Sequence, residues 1–167
     1  MARGGKRVKW QYGAVFVLPL TDGSFSIGQA IDSMMTHIVY CAFFSTRYQN
    51  LPDSLPVLDR NDVISLVAVW KRSLNIGHWP IIGVAPLVVP KQDFPNEQFR
   101  DNGYIGAKHY DEGIAEDLVS AYHGLIPWNV MFKEDYYDSM LLNGIERPQS
   151  AVVLSGEDRR KYRETRA

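Results

Sequence analysis

Histidine is the residue type in this sequence best suited to hold a metal ion or move a proton at neutral pH, and the chain has four. His109 and Glu112 are three residues apart, which would place them together on a helix. Asp111, however, has the character of an N-cap, so the helix would begin between them. The remaining histidines share no ligand spacing with a second candidate: His37, His78 and His123. The pattern therefore predicts no metal site and no cofactor.

The single cysteine, Cys41, is a poor candidate for a catalytic nucleophile. A reactive thiol needs a lowered pKa and a neighbouring base, whereas Cys41 lies in the apolar run YCAFF, residues 40–44. We interpret it as a small buried hydrophobic residue. One cysteine forms no internal disulfide, which fits a reducing compartment.

The serines and the paired acids also lack a catalytic signature. The segment GSFSIG, residues 23–28, has neither the Gly-x-Ser-x-Gly spacing of a hydrolase nucleophile nor the Gly-Lys-Ser/Thr ending of a phosphate loop. Acid pairs stand at residues 111–112, 116–117 and 134–135. They could serve as general acids and bases, but acids near the start of a helix commonly complement its dipole. We predict that the protein is not an enzyme.

Charge is distributed unevenly along the chain. Residues 1–10 carry four Lys or Arg and no acid, and residues 159–167 carry five Lys or Arg and one acid. Residues 11–158 hold about twice as many acids as bases. An acidic body repels phosphate backbones and attracts cationic surfaces, which argues against nucleic acid and for a basic protein partner. The same composition is also typical of an acidic, soluble protein with no such partner.

The N-terminal region resembles a signal peptide only superficially. Basic residues precede the apolar residues 14–20, but this stretch is short, contains Pro19 and is not followed by a small-residue cleavage site. No segment approaches the roughly 18 apolar residues that a membrane-spanning helix needs. We therefore expect a cytoplasmic protein without a membrane segment.

Strand signals dominate the N-terminal part of the chain. Residues 13–31, GAVFVLPLTDGSFSIGQAI, predict two strands joined by a tight turn at Asp22-Gly23. Residues 36–45 are almost continuously apolar and predict a central strand, and residues 63–70 predict another. The prolines within residues 78–90 leave room only for short edge strands there.

Helical signals follow in the C-terminal part. Residues 111–123 place apolar side chains on one helical face, with Asp111 as a candidate N-cap and Gly124 as a C-cap. Residues 134–143 repeat this pattern with Gly144 past the end, and residues 151–154 predict a last strand.

This order of elements predicts an α+β fold. We expect a small, strongly curved antiparallel sheet or partly open barrel from the N-terminal two-thirds, with two or three helices packed on it from the C-terminal third. The expected organisation is a flexible basic segment at residues 1–9, one domain at residues 10–155 and a basic tail at residues 156–167.

Trp128 follows the turn at residues 124–127 and lies between two acid-rich segments. Two interpretations remain open, a core residue between helices and sheet or an exposed anchor for a partner.

Four stretches in this order resemble the immunity protein 26 family, bacterial proteins encoded in polymorphic-toxin loci. They are RVKWQYGAVFVLPLTDGSFSIGQAI at residues 7–31, GHWPIIGVAPL at 77–87, AYHGLIPWN at 121–129 and LLNGIERP at 141–148. The resemblance covers most of residues 7–148 and consists of aromatic, Gly and Pro positions. It implies a protein that neutralises a cognate toxin by binding it, without catalysis.

The resemblance supplies no contact residues, so the expected binding surface rests on charge and aromatic character alone. It consists of the C-terminal acids and one tryptophan: Asp111, Glu112, Glu116, Asp117, Trp128, Glu134 and Asp135. Two other functions remain open at this point. One is a small-barrel module that binds or processes RNA through its basic ends, and the other is a housekeeping protein with a small ligand.

Overall fold

An open, five-stranded antiparallel sheet forms the centre of the structure, a computed structural model that describes residues 7–166. The sheet order is β4-β3-β2-β1-β5. Its strands are β1 (Ala14–Pro19), β2 (Phe25–Met35), β3 (Ile38–Phe44), β4 (Val63–Trp70) and β5 (Ile81–Val84). The prediction of an α+β fold is confirmed, with the sheet open rather than closed. Residues 1–6 of the expected N-terminal segment lie outside the described residues.

The hairpin of β1 and β2 turns at Asp22-Gly23, as predicted. Gly23 has a φ of 84°, which a residue with a side chain rarely adopts. The Asp22 carboxylate accepts a hydrogen bond from the Ser24 N–H at 3.0 Å and also binds the Ser24 hydroxyl and Arg47. These hydrogen bonds, the Ser24 hydroxyl first, lower the pKa of Asp22 to about 2. The turn therefore fixes the register in which Pro19 pairs with Phe25.

Strand β3 is buried on both sides of the sheet, which explains its continuous apolar sequence. Val39, Cys41 and Phe43 belong to the core on one face. Tyr40 and Phe44 belong to the core on the other. The sheet is thus the middle layer of the molecule.

Helix α2 (Glu112–Tyr122) covers the first face, where the sequence predicts a helix. It buries Ala115 and Leu118 against the sheet. Trp79, just before β5, stacks on Phe16 of β1 with ring centroids 4.9 Å apart. The helix, the sheet and the edge strand therefore share one hydrophobic core.

The second face is covered by a segment with little regular structure. It contains two 3-10 helices, Lys91–Asp93 and Pro95–Asn102. Phe94 stacks on Tyr40 at 4.5 Å, and the Tyr40 hydroxyl donates to Glu97 at 2.7 Å. These contacts attach the segment to the sheet.

Four short or terminal elements complete the fold. They are 3-10 helices Arg60–Asp62 and Asp138–Met140, the single-turn helix α1 (Arg72–Asn75) and helix α3 (Gly156–Thr165). No helix within residues 7–166 is both long enough and apolar enough to cross a membrane.

The predicted helix at residues 134–143 is wrong, because this region consists of turns and the 3-10 helix Asp138–Met140. Two contacts with the core hold residues 134–143 in this non-helical conformation. Tyr137 packs its ring edge against Trp128 at 5.6 Å, and the Trp128 indole donates to Asp138 at 3.0 Å. Tertiary packing therefore overrides the helical pattern.

The predicted strand at residues 151–154 is also wrong. Only Val152 makes a β-bridge, to Pro127. The Asn129 side chain bonds both backbone groups of Leu154, accepting from its N–H at 2.8 Å and donating to its carbonyl at 2.9 Å. A side chain thus supplies hydrogen bonds that a neighbouring strand would otherwise provide.

Gly28→Ala tests the tight packing of the sheet centre. A Cβ atom at Gly28 would lie 2.4 Å from the Phe16 ring and 3.1 Å from the Ala42 carbonyl oxygen. Because Phe16 is held by its stack on Trp79, we expect a loss of about 1 to 3 kcal/mol in the free energy of unfolding. Urea unfolding followed by circular dichroism measures it.

Gly113→Ala in α2 is the matched control, because a Cβ atom at this position would have no other atom within 4 Å. It should raise stability slightly, by about 0.5 kcal/mol or less, because Gly113 lies in the first turn of α2, where helix propensity has less effect than in the interior. Equal effects of the two substitutions would contradict this account of the core.

Candidate partner-binding surface

Glu112 and Glu116, two of the predicted contact residues, hold the fold together. The Ser73 N–H of α1 donates to Glu112 at 3.0 Å. The Trp79 indole donates to Glu116 at 2.9 Å, and His78 Nε2 lies 2.9 Å from the same oxygen. Both carboxylates therefore fasten the connection between β4 and β5 to helix α2.

Trp128 is fully buried, which favours the core interpretation of this residue. Its indole N–H is bound to Asp138, and its ring contacts Tyr137. In this conformation the side chain supports the surface from beneath and presents no area to a partner.

Asp117 lies half-buried on α2 beside Glu116. Burial raises the pKa of Asp117, the charge of Glu116 raises it further, and Arg166 of the C-terminal region opposes both. The carboxylate is consequently less stable when charged than it would be in water.

Helix α3, formed by the basic C-terminal residues, is docked through one arginine. Ser155 caps its start by accepting from the Asp158 N–H at 3.2 Å. Arg159 donates to the carbonyls of Asn129 at 2.5 Å and Met131 at 2.6 Å. Its Nε also lies 3.7 Å from Glu134, so α3 partly neutralises that acid.

The remaining predicted residues, Asp111 and Asp135, are exposed. Within residues 7–166 neither forms an ion pair. Asp135 lines a depression of about 470 Å³, and Asp111 directly follows Tyr110, which lines it too. We call this the Phe132 depression; its lining includes His109, Tyr110, Phe132, Lys133, Asp135 and Tyr136.

Phe132 and Tyr136 are not among the residues predicted from the sequence. Phe132 is 67 % exposed and lies 6.2 Å from the Tyr136 ring, whose edge meets Tyr110 at 6.3 Å. A signal was present, since Phe132 ends the short apolar run at residues 130–132 and directly precedes three charged residues. The helical pattern assigned to residues 134–143 concealed it.

The chemical groups considered for catalysis are dispersed. Within the described part of the chain, no three His, Cys, Asp or Glu residues are grouped so that they could hold a metal ion. Cys41 is buried, and burial raises the pKa of its thiol. His123 is partly buried, which lowers its pKa.

These features define an α+β protein built on an open antiparallel sheet, with a mixed polar and aromatic surface beside α2. The chain belongs to the immunity protein 26 family, whose model matches residues 11–104. No curated protein and no solved structure matches it. Membership gives the chain an immunity role in general terms, implies a toxin as its protein partner and suggests a role without catalysis.

The matched residues contain all five strands, whereas α2, the Phe132 depression and α3 follow them in the chain. The family match therefore covers the sheet and leaves the candidate surface outside it.

Asp117→Asn should stabilise the protein at neutral pH, because it removes a carboxylate that is destabilised by burial. The pKa of Asp117 is higher in the folded state than the ordinary 3.8, so the native state binds the proton more tightly than the unfolded state does. Lowering the pH through the folded pKa relieves this cost, and the advantage of Asn should shrink there. Urea unfolding at a series of pH values measures the difference, with Asp53→Asn in an exposed loop as control. A difference independent of pH would contradict the assignment.

Arg159→Ala should loosen α3 and the segment that carries Phe132. Removing a largely buried guanidinium leaves the carbonyls of residues 129, 131 and 132 without their donor. We expect a loss of about 1 to 3 kcal/mol and faster proteolysis near the C-terminus. Arg163→Ala on the exposed side of the same helix is the control and should change little. Similar protease resistance in both variants would show that Arg159 does not dock the helix.

Proposed function

We propose that this protein neutralises a cognate bacterial toxin by binding it directly, without catalysing a reaction, through a surface centred on the Phe132 depression. The observation that carries the proposal is an exposed phenylalanine at a concave site lined by Asp135, an exposed carboxylate that forms no ion pair within residues 7–166. Family membership supports the role, and the exposed ring and carboxylate support this location.

Phe132 is suited to anchor a partner, because its exposed ring would be buried on binding. Fully burying such a side chain contributes about 1.5 to 3 kcal/mol, and a few residues of this kind commonly dominate the affinity of an interface. Tyr136 and Tyr110 back Phe132 with a row of rings, so little ordering of the surface would be needed on binding.

Charge would guide the encounter. Asp111 and Asp135 are free to meet cationic groups, and carboxylates in such positions accelerate the approach of a basic partner. Asp117 adds a second effect, because a cation placed near it would relieve the unfavourable charge beside Glu116. Lys133 and Lys108 line the same depression and would restrict which arrangement of charges fits.

The other residues of the expected set have different parts in this proposal. Glu112 and Glu116 hold the connection between β4 and β5, and Trp128 supports Tyr137 beneath the surface. Glu134 lies at the margin, where Arg159 shares its charge.

We place the complex in the cytoplasm, since the one cysteine is buried and forms no disulfide.

The test is co-expression with the product of the adjacent gene, which we expect to contain a toxin domain. We expect the wild-type chain to restore growth and to form a stoichiometric complex in native mass spectrometry. Phe132→Ala should weaken binding about tenfold or more. The pair Asp111→Lys and Asp135→Lys should slow association about tenfold at low salt and reduce its salt dependence.

Controls are available on other surfaces. Ile105→Ala removes a side chain that is 70 % exposed, and Asp53→Lys with Asp101→Lys reverses two exposed charges elsewhere. Urea unfolding establishes that every variant is folded. A folded Phe132→Ala variant with unchanged affinity would overturn the proposed surface, and a folded wild-type chain that neither binds nor protects would overturn the proposed function.

A further inference from the structure

A second concave surface, opposite in charge to the acids of α2, lies where residues 7–12 pass the end of β4. Two depressions of about 700 and 470 Å³ meet there and share Arg7, Lys71 and Asn75. Trp10 and Tyr12 line the first, and Trp70 lines the second. We call the combined surface the Trp10–Trp70 groove.

The groove is strongly basic. Its lining includes four Lys or Arg side chains and one histidine: Arg7, Lys9, His37, Lys71 and Arg72. Among the residues that the structure describes, no Asp or Glu lines either depression. Such a cluster is exceptional in a chain whose residues 11–158 are acidic overall, and it creates a local positive potential.

Ordered contacts hold Lys71 and the segment that carries Arg7 and Lys9 in place. The Val8 N–H donates to the Asn75 carbonyl at 2.8 Å, and the Trp10 indole donates to the Asn75 side chain at 2.9 Å. The Lys71 ammonium donates a hydrogen bond to the Ser33 hydroxyl at 3.1 Å and lies 5.9 Å from the centre of the Trp10 ring. Residues 7–12 are thereby fastened to α1, and the groove is formed before any ligand arrives.

We propose that the Trp10–Trp70 groove binds a short acidic segment of a protein. Glutamate or aspartate side chains of this segment would pair with Arg7, Lys9 and Arg72. The aliphatic groups of the same segment would cover the exposed parts of Tyr12 and Trp70. Arginine favours such pairing because its guanidinium meets a carboxylate through two parallel hydrogen bonds.

Three features favour a peptide over single-stranded nucleic acid. Lys71 covers the Trp10 ring and the Tyr12 ring meets it at 72°, which hinders stacking of a base on Trp10. Four Lys or Arg residues line the two depressions, whereas a single-stranded nucleic acid needs a longer track of phosphate contacts. Next to Arg72, Glu112 accepts from the Ser73 N–H, so the basic surface is short and suits a ligand with few charges.

The groove adjoins the Phe132 depression through a contact between the Trp70 and His109 rings, whose centroids are 5.2 Å apart. One partner could therefore touch both surfaces. The binding of an acidic segment nevertheless stands on the groove alone and does not require that the proposed toxin surface is correct.

The four tryptophans allow a direct test with the isolated protein. In a ¹⁵N heteronuclear NMR titration with blocked hexaglutamate at low ionic strength, the indole signals of Trp10 and Trp70 should shift and saturate. Those of the buried Trp79 and Trp128 should stay in place and serve as internal controls. Added salt should weaken the binding.

Charge reversal completes the test. Lys9→Glu with Arg72→Glu, both exposed groove residues, should weaken hexaglutamate binding about tenfold or more. Arg160→Glu with Arg163→Glu on exposed positions of α3 makes the same change in net charge away from the groove and should have little effect.

Several outcomes would overturn the inference. Absence of shifts at the Trp10 and Trp70 indole signals would show that the groove does not bind the peptide. Equal weakening of binding by the control pair would show that binding depends only on the net charge of the protein. Tighter binding of hexauridylate with the same indole shifts would reassign the groove to nucleic acid. By contrast, retained hexaglutamate binding in a Phe132→Ala variant that has lost toxin binding would support the groove as a separate site.

Discussion

The contact between Trp79 and helix α2 is the interaction on which the rest of this structure depends. The ring stacks on Phe16 at 4.9 Å and meets the edge of Phe43 at 5.8 Å, while its indole N–H is bound to Glu116. One side chain therefore joins the centre of the sheet, the entry to β5 and the helix above them. Because a buried indole N–H without an acceptor is unfavourable, the position of α2 and the use of Glu116 are fixed together.

The contact between Trp79 and α2 also distinguishes acids that are bound within the fold from acids that are exposed. Glu112 and Glu116 face the β4–β5 connection, where Ser73 and Trp79 donate to them. Asp111 remains exposed just before the same helix, and the exposed Asp135 lines the Phe132 depression. Carboxylates that are close in sequence, such as Asp111 and Glu112, thus differ in their contacts, because the backbone presents them to different neighbours. The contact between Trp70 and His109 then brings this surface next to a basic groove, so that one end of the sheet carries both charges.

Sequence patterns predicted the central elements well, because each has a strong local cause. The β1–β2 turn requires Asp22 and Gly23, β3 is apolar throughout since both of its faces are covered, and α2 has an apolar stripe along one side. The candidate site was harder to predict from the sequence. Phe132 gained significance only when the helix predicted at residues 134–143 was replaced by turns, which leave its ring exposed beside Tyr136.

The sequence by itself determined the α+β class, the order of the five strands along the chain and the buried state of Cys41, since these follow from local periodicity and composition. The resemblance to an immunity family rested on particular stretches of sequence, and the family match confirms it. Tertiary structure alone decided which acids are free, where the basic groove forms and how the C-terminal helix docks. Arg159 reaches carbonyls roughly 30 positions earlier in the chain, and Trp10 bonds Asn75 across 65 positions. Such pairings depend on how the layers meet in space, and no local pattern in the sequence specifies them.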